Sequence, residues 1–178
     1  MELTEILPVE GWMQFEKELF DRFNINATVY STSGISVTGK PIWCNPLCPV
    51  IKANQESLEL ICKVGNQNFM AQAKKSKEFI IGECDAGLIK IAVPILVNGE
   101  FLGTAGGCGR LPAGGEAETF IIEKTTGLNE EAIAELCRGL EPISEGEARQ
   151  AAEFIKARLA QHVAQAGIEA GSCNEEKI

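Results

Sequence analysis

Apolar residues near the start of the chain recur every three or four positions, which is the spacing of one face of an α-helix. Charged residues occupy the positions between them, so the pattern predicts an amphipathic helix over Pro8–Asn24. A second helical pattern runs from Glu56 to Ala73, although Gly65 lowers the helix propensity near its middle. The apolar positions of the first helix are Trp12, Phe15, Leu19 and Phe23.

Between these two helices the pattern changes to short β-like segments. Ala27–Thr32 and Gly34–Val37 each fit a strand, and Ser33-Gly34 marks a turn between them. The following stretch, Thr38–Pro49, contains three prolines and is predicted to be irregular.

After Glu78 the chain is predicted to form three more strands, at Phe79–Cys84, Leu88–Val97 and Phe101–Gly109. The Asn98-Gly99 pair joins the last two, and it favours a tight hairpin because a type I′ turn needs positive φ at both positions. The strand after the hairpin is rich in glycine. Glycine in a strand fits either a bulged, strongly twisted strand or one that a ligand approaches closely.

The rest of the chain has helical patterns. Glu116–Thr125 ends before Gly127, and Asn129 is placed to cap a helix over Glu130–Arg138. Ser144 and Glu147 form a capping-box pattern that opens a long helix to about Ala166. We expect this helix either to lie on the sheet or to pair with a second copy, and the polar segment 167–178 to be disordered.

This order of elements predicts an α+β fold, with a five-stranded, mostly antiparallel sheet flanked by helices and a long C-terminal helix. The layout is that of small sensory domains of the PAS and GAF kind, which is an analogy at the level of fold. Residues 1–166 are predicted to form one sensory domain.

Charge limits the classes of partner. The chain of 178 residues has 25 acidic and 16 basic side chains and a net charge of −9, without a basic stripe. Binding to nucleic acid or to an acidic membrane surface is therefore disfavoured. The longest apolar run, Leu88–Val97, is too short to cross a bilayer, and Met1–Glu10 has no basic segment typical of export signals. We expect a cytoplasmic protein.

Cysteine is the residue type most suggestive of a chemical function, and the chain contains seven. Thiolates bind zinc and iron–sulfur clusters, and four sulfur ligands complete a tetrahedral zinc shell. Cys108 is able to replace any member of the candidate set, and a thiol redox sensor or a set of small buried side chains are the alternatives. The candidate metal ligands are Cys44, Cys48, Cys62 and Cys84.

The ordered motifs resemble those of the PocR sensory domain family. Cys48 and Cys62 resemble its first cysteine pair, and the segment 83–88, Glu-Cys-Asp-Ala-Gly-Leu, resembles its cysteine-centred turn. The segments 91–95, 98–100 and 102–103 resemble its hairpin, and 126–128 and 142–144 resemble its helical tail. The similarity covers about residues 15–161. The chain departs from the family at Asp85, where a histidine is expected, and at Cys108, where a glutamine is common.

The resemblance implies a non-catalytic sensor of a small organic molecule in signal transduction. Trp43, Cys84, Asp85 and Cys108 are the predicted ligand contacts, with Trp43 as a lid or as an anchor of its loop. The chain has no recognisable output segment, so signalling is expected through a homodimer or a protein partner. The alternative function is a zinc or iron–sulfur metalloprotein for redox sensing or electron transfer.

Overall fold

The computed structural model describes residues 1–167, in which helices cover both faces of one antiparallel sheet. The strands are β1 (Asn26–Ser31), β2 (Ile80–Glu83), β3 (Ile89–Val97), β4 (Glu100–Pro112) and β5 (Pro142–Ile143). The helices are α1 (Leu3–Ile6), α2 (Val9–Phe23), α3 (Leu47–Ala53), α4 (Gln55–Ser57), α5 (Val64–Ser76), α6 (Thr119–Thr126), α7 (Glu130–Cys137) and α8 (Glu145–Gln165). A π-helical segment, Leu58–Lys63, joins α4 to α5.

The sheet has the order β1-β4-β3-β2, and each neighbouring pair is antiparallel. The predicted hairpin is confirmed, since Asn98 and Gly99 join β3 to β4 with φ values of 50° and 78°. The fifth strand is β5, which pairs in parallel with the end of β4. The prediction of a five-stranded, mostly antiparallel sheet is therefore confirmed, although the fifth strand is β5, in a part of the chain predicted to be helical.

The prediction of a strand at Gly34–Val37 was wrong. Ser36 makes only an isolated bridge to Tyr30, and the backbone turns back at Gly34, where φ is 76°. Ile35 is 68 % exposed, so the apolar residues of this segment do not add a strand to the core.

One face of the sheet is covered by α2 and α8. The predicted stripe of α2 is buried, with Trp12 and Leu19 completely enclosed, and the Trp12 indole N–H donates to the Leu3 carbonyl at 3.0 Å. The capping box at Ser144 is present, and α8 lies on the sheet, which is the first of the two predicted arrangements. The buried residues of α8 are Ala148, Ala151, Ala152, Ile155, Leu159 and Val163.

The other face is covered by α3, the π-helical segment and α5. A second cluster of apolar residues joins α3 and the π-helical segment to α6 and α7. The prediction of an irregular stretch to Pro49 was wrong from Leu47 onward, because α3 begins there. Pro49 is tolerated because the first turn of a helix leaves its N–H groups without intrahelical partners. The side-chain Oδ1 of Asn45 accepts the Cys48 N–H at 2.8 Å and caps that turn.

His162 of α8 is partly buried between α8 and α2. Its ring contacts Trp12 and Phe15 edge to face, and Nε2 is buried without a partner. Burial, with the Arg158 charge, lowers the pKa of His162 against the opposing effect of Glu18. Residues 168–178, most of the tail predicted to be disordered, lie outside the described residues. Among residues 1–167, no helix combines the length and apolar character needed to cross a membrane.

Candidate functional site

The strand register brings three side chains from distant parts of the sequence into one row. Asn26 of β1 and Lys90 of β3 are both paired with Cys108 of β4. Paired residues on neighbouring strands point to the same face of a sheet. This row therefore places an amide, a thiol and an ammonium group side by side, on the face that α3 and α5 cover.

A cavity lies between this row and the helices, and we call it the sheet–helix cavity. The space bounded by its lining atoms, including the solvent at its open mouth, is about 490 Å³, and an adjoining space of about 380 Å³ extends over Thr28, Ala92 and Gly106. The enclosed interior of the main part is narrow, with a volume of about 30 Å³. The main part is lined by Asn26, Tyr30, Cys48, Ile51, Lys52, Ile61, Cys62, Gly65, Asn66, Cys84, Ala86, Leu88, Lys90 and Cys108.

The π-helical segment contributes Cys62 to the wall of the cavity. π-Helical segments are rare in proteins, and those that occur are often found at functional sites. The extra residue per turn shifts the positions of the side chains that follow. Here the segment separates α4 from α5, which supplies Asn66 to the same cavity.

The two polar atoms of the Asn26 side chain differ in how well they are hydrogen-bonded. Its side-chain oxygen accepts the Cys44 N–H at 2.7 Å, which ties the irregular loop before α3 to the sheet. Its Nδ2 is buried without a well-formed hydrogen bond, and its interaction with the Cys108 side chain is one of the causes that lower the pKa of Cys108; the residue as a whole is 4 % exposed. A buried polar group without a well-formed hydrogen bond is costly, so such a donor at the wall of a cavity indicates a place for an acceptor.

Two lysines reach the cavity from opposite sides. Lys90 extends from β3 and donates to the Asn66 side-chain oxygen. Lys52 extends from α3, and its Nζ lies 5.3 Å from the centre of the Trp43 ring. No aspartate or glutamate is among the described residues that line the cavity.

The cysteines around the cavity differ in their acidity. The Cys48 thiol, as a hydrogen-bond donor, lowers the pKa of Cys108, and Lys90 and Lys52 lower it further, against the opposing effect of burial. The same interaction with Cys108, together with burial, raises the pKa of Cys48. Burial raises the pKa of Cys62 to about 11. The pair Cys48–Cys108 therefore favours one thiol and one thiolate, which share a proton, over two thiols.

Asn45 fastens the loop to β4 behind this pair. Its Nδ2 donates to the Gly109 carbonyl at 2.6 Å and lies 3.3 Å from the Cys48 sulfur. Gly109 has a φ of 109°, and a Cβ there would lie 2.5 Å from Asn26 Nδ2 and 2.8 Å from the Cys44 sulfur. Only glycine allows the strand to pass this close to the loop.

With this geometry established, comparison with known proteins identifies the family. The model of the sensory domain found in PocR matches residues 5–168. The chain belongs to the PocR sensory domain family. Neither the curated proteins nor the solved structures give a match to it.

In this PocR sensory domain, the predicted ligand contacts separate into two groups. Cys84 and Cys108 line the cavity. Trp43 and Asp85 are not among the lining residues; Trp43 packs against the second apolar cluster, and Asp85 is exposed in the turn before β3. The roles of these two residues in ligand binding stay predictions.

The predicted metal ligands also separate. Cys48, Cys62 and Cys84 line the cavity, whereas Cys44 faces the Cys108 carbonyl, with its sulfur 3.8 Å from that oxygen. Burial is the main cause that raises the pKa of Cys44 to about 11. Within residues 1–167, no group of three or more histidine, cysteine, aspartate or glutamate side chains is arranged to hold a metal ion.

Sequence reasoning missed Asn26, Lys52 and Lys90. A signal was present in β1, where polar Asn26, Thr28 and Tyr30 alternate with apolar residues, which is typical of a strand with one polar face. The sequence does not show that this face lies under helices, because that depends on the packing of α3 and α5.

Proposed function

We propose that this PocR sensory domain binds a small molecule in the sheet–helix cavity and acts in signal transduction without catalysis. The observation that carries the proposal is the sheet–helix cavity, whose wall holds the buried Nδ2 of Asn26 and the ammonium groups of Lys52 and Lys90, in a domain of a sensory family. Cys84 and Cys108 contribute to the wall, and Asn26 is a further proposed ligand contact.

The two sides of the cavity are built differently, which supports a sensory mechanism. The sheet is held from behind by α2 and α8, whereas the wall opposite consists of short helical segments joined by a π-helix. A ligand that binds one arrangement of these segments better shifts the population towards it. The output then passes to a protein partner or to a second copy of the chain, and a homodimer remains the predicted form.

The test is a thermal-shift screen of small alcohols, diols, aldehydes and acids, followed by calorimetry of each compound that stabilises the protein. Asn26→Ala is expected to weaken binding about tenfold, because it removes one buried hydrogen bond. Asp85→Ala tests the ligand contact that the sequence predicts, and Lys124→Ala, at an exposed position of α6, is the control that is expected to retain the wild-type affinity. Circular dichroism checks the fold of each variant, and Lys90→Met replaces Asn26→Ala if loss of the Cys44 contact unfolds the latter.

Two results would contradict the proposal. The first is that no compound in the screen stabilises the reduced, metal-free protein. The second is that Asp85→Ala loses binding while folded Asn26→Ala retains it, which would move the site to the exposed turn before β3.

A metalloprotein is the second candidate function, and one observation favours it. Cys48, Cys62, Cys84 and Cys108 line the same cavity. The described side chains have no single-ion geometry, so this candidate is best served by an iron–sulfur cluster, whose several atoms span a wider set of thiolates than one zinc ion does. Cys108 then replaces Cys44 in the predicted ligand set.

Elemental analysis and a visible spectrum of protein purified without oxygen or chelators test this candidate. Iron and sulfide in the wild type, lost in Cys108→Ser and retained in Cys44→Ser, would support a cluster with the revised ligands. Cys137→Ser, at the end of α7 and away from the cavity lining, is the control. Colourless protein without metal would leave the cysteines as walls of a ligand site.

A further inference from the structure

The sheet–helix cavity has the opposite charge character to the chain that encloses it. The chain has a net charge of −9, yet the cavity contains Lys52 and Lys90 and no described carboxylate. Neither ammonium group has a carboxylate within ion-pairing distance among the described residues. Two partly buried cations without anionic partners favour a negatively charged occupant.

The neutral polar groups of the cavity add to this preference. The side-chain oxygen of Asn26 is used by the Cys44 N–H, and that of Asn66 by Lys90. The Nδ2 of Asn26 is left as a buried donor beside the Cys108 sulfur, without a well-formed hydrogen bond. The amide and ammonium donors of this part of the cavity match the oxygens of an anion, which only accept hydrogen bonds.

A thiolate at Cys108 does not by itself neutralise the positive charge of the cavity. It supplies at most one negative charge against two ammonium groups. Burial lowers the pKa of Lys52, but Tyr30, Cys108 and Cys62 outweigh that effect and raise it overall, so Lys52 remains charged near neutral pH. An excess of positive charge is therefore left for a ligand.

The far side of the cavity has a different character. Ile51, Ile61 and Leu88 form an apolar wall there, next to the polar row of Asn26, Cys108 and Lys90. An inorganic anion would leave this wall without a partner, whereas a short hydrocarbon chain would cover it.

We propose that the ligand of this site is a short-chain carboxylate. Its carboxylate accepts hydrogen bonds from Lys90 and from Asn26 Nδ2, with Lys52 supplying the second positive charge, and its hydrocarbon chain lies against Ile51, Ile61 and Leu88. This inference rests on the proposed function and specifies the class of molecule that the sensor binds.

The experiment compares butyrate with its neutral isostere butyramide and with inorganic phosphate, by calorimetry on the full, reduced chain. Nitrogen-labelled protein locates the binding through the side-chain amide signal of Asn26. Butyrate is expected to bind and to shift that signal, and butyramide to bind at least about tenfold more weakly because it cannot form the charged hydrogen bonds. Phosphate is expected to bind more weakly than butyrate.

Variants of the two lysines then test which side chain provides the positive charge that binds the carboxylate. Lys90→Met is expected to weaken butyrate binding about tenfold or more and to weaken butyramide binding less, because the amide oxygen loses a hydrogen bond but no ion pair. Lys124→Met, at an exposed position of α6, is the matched control and should behave as the wild type. Lys52→Met is the second variant if Lys90→Met does not fold.

Three results would overturn the inference. Butyramide binding as tightly as butyrate would leave the proposed sensor intact but remove the preference for an anion. Phosphate binding more tightly than butyrate would remove the role of the apolar wall. The absence of butyrate binding would refute the carboxylate assignment, and the proposed function falls as well only if the broader screen also finds no ligand.

Discussion

Gly109 provides the most direct test of how the loop, the sheet and the cavity fit together. Replacing it with alanine adds a Cβ at a φ of 109°, 2.5 Å from Asn26 Nδ2 and 2.8 Å from Asn45 Nδ2. Both amides are buried and already hydrogen-bonded through their oxygens, so neither moves away without losing a contact. We therefore expect Gly109→Ala to disturb the cavity as well as to destabilise the fold.

The magnitude follows from two costs. A positive φ at a residue with a side chain costs about 1–2 kcal/mol. An extra carbon in a closely packed site costs about 1–3 kcal/mol. The sum of about 2–5 kcal/mol, at about 3 °C for each kcal/mol in a domain of this size, corresponds to a fall in Tm of about 6–15 °C.

Gly114→Ala is the matched control, because Gly114 has a φ of 78° and a Cβ there would have no atom within 4 Å. It carries only the backbone cost of about 1–2 kcal/mol, and the effect of alanine on the unfolded chain is the same in both variants. Urea denaturation of both proteins measures the difference. If Gly109→Ala loses no more unfolding free energy than Gly114→Ala, the packing of the loop against β4 is not as described.

Three further predictions concern the core and its helix ends. Burial raises the pKa of Glu16, so the unfolding free energy should fall as pH rises from 4.5 through the raised pKa. Glu16→Gln keeps an acceptor for the Val29 N–H and should flatten this pH dependence, which urea denaturation at several pH values measures. Ser144→Ala removes the capping box of α8 and should cost about 1 kcal/mol by urea denaturation. Ile155→Ala should cost about 2–5 kcal/mol in the same assay, whereas Phe120→Ala, at a side chain 74 % exposed, should change little.

The elements that the sequence predicted well are those with local signals. The spacing of apolar residues predicted α2, the capping box predicted α8, and the Asn98-Gly99 pair predicted the turn between β3 and β4. Each of these signals comes from residues that are close together in the sequence, so no knowledge of the tertiary structure was needed.

The candidate site was predicted only in part, because it depends on long-range pairing. The register that places Asn26 beside Cys108 pairs β1 with β4, which are far apart in the sequence, and the pairing of Lys90 with Cys108 across the hairpin follows a register shift next to Lys90. The short helix α3 was missed because prolines on either side of Cys48 indicated irregular structure. Without α3 in place, neither Lys52 nor the separation of Cys44 from the other cysteines was predictable.

The alternation of β1 has a consequence for how such a domain is able to diversify. Asn26, Thr28 and Tyr30 face the cavity, whereas Ala27 and Val29 belong to the core beneath α2 and α8. Substitutions at Thr28 and Tyr30 therefore change the wall of the cavity, while Ala27 and Val29 keep the core intact. Asn26 is the exception, because its side-chain oxygen also holds the loop through the Cys44 N–H, so a change there affects the cavity and the stability of the domain together.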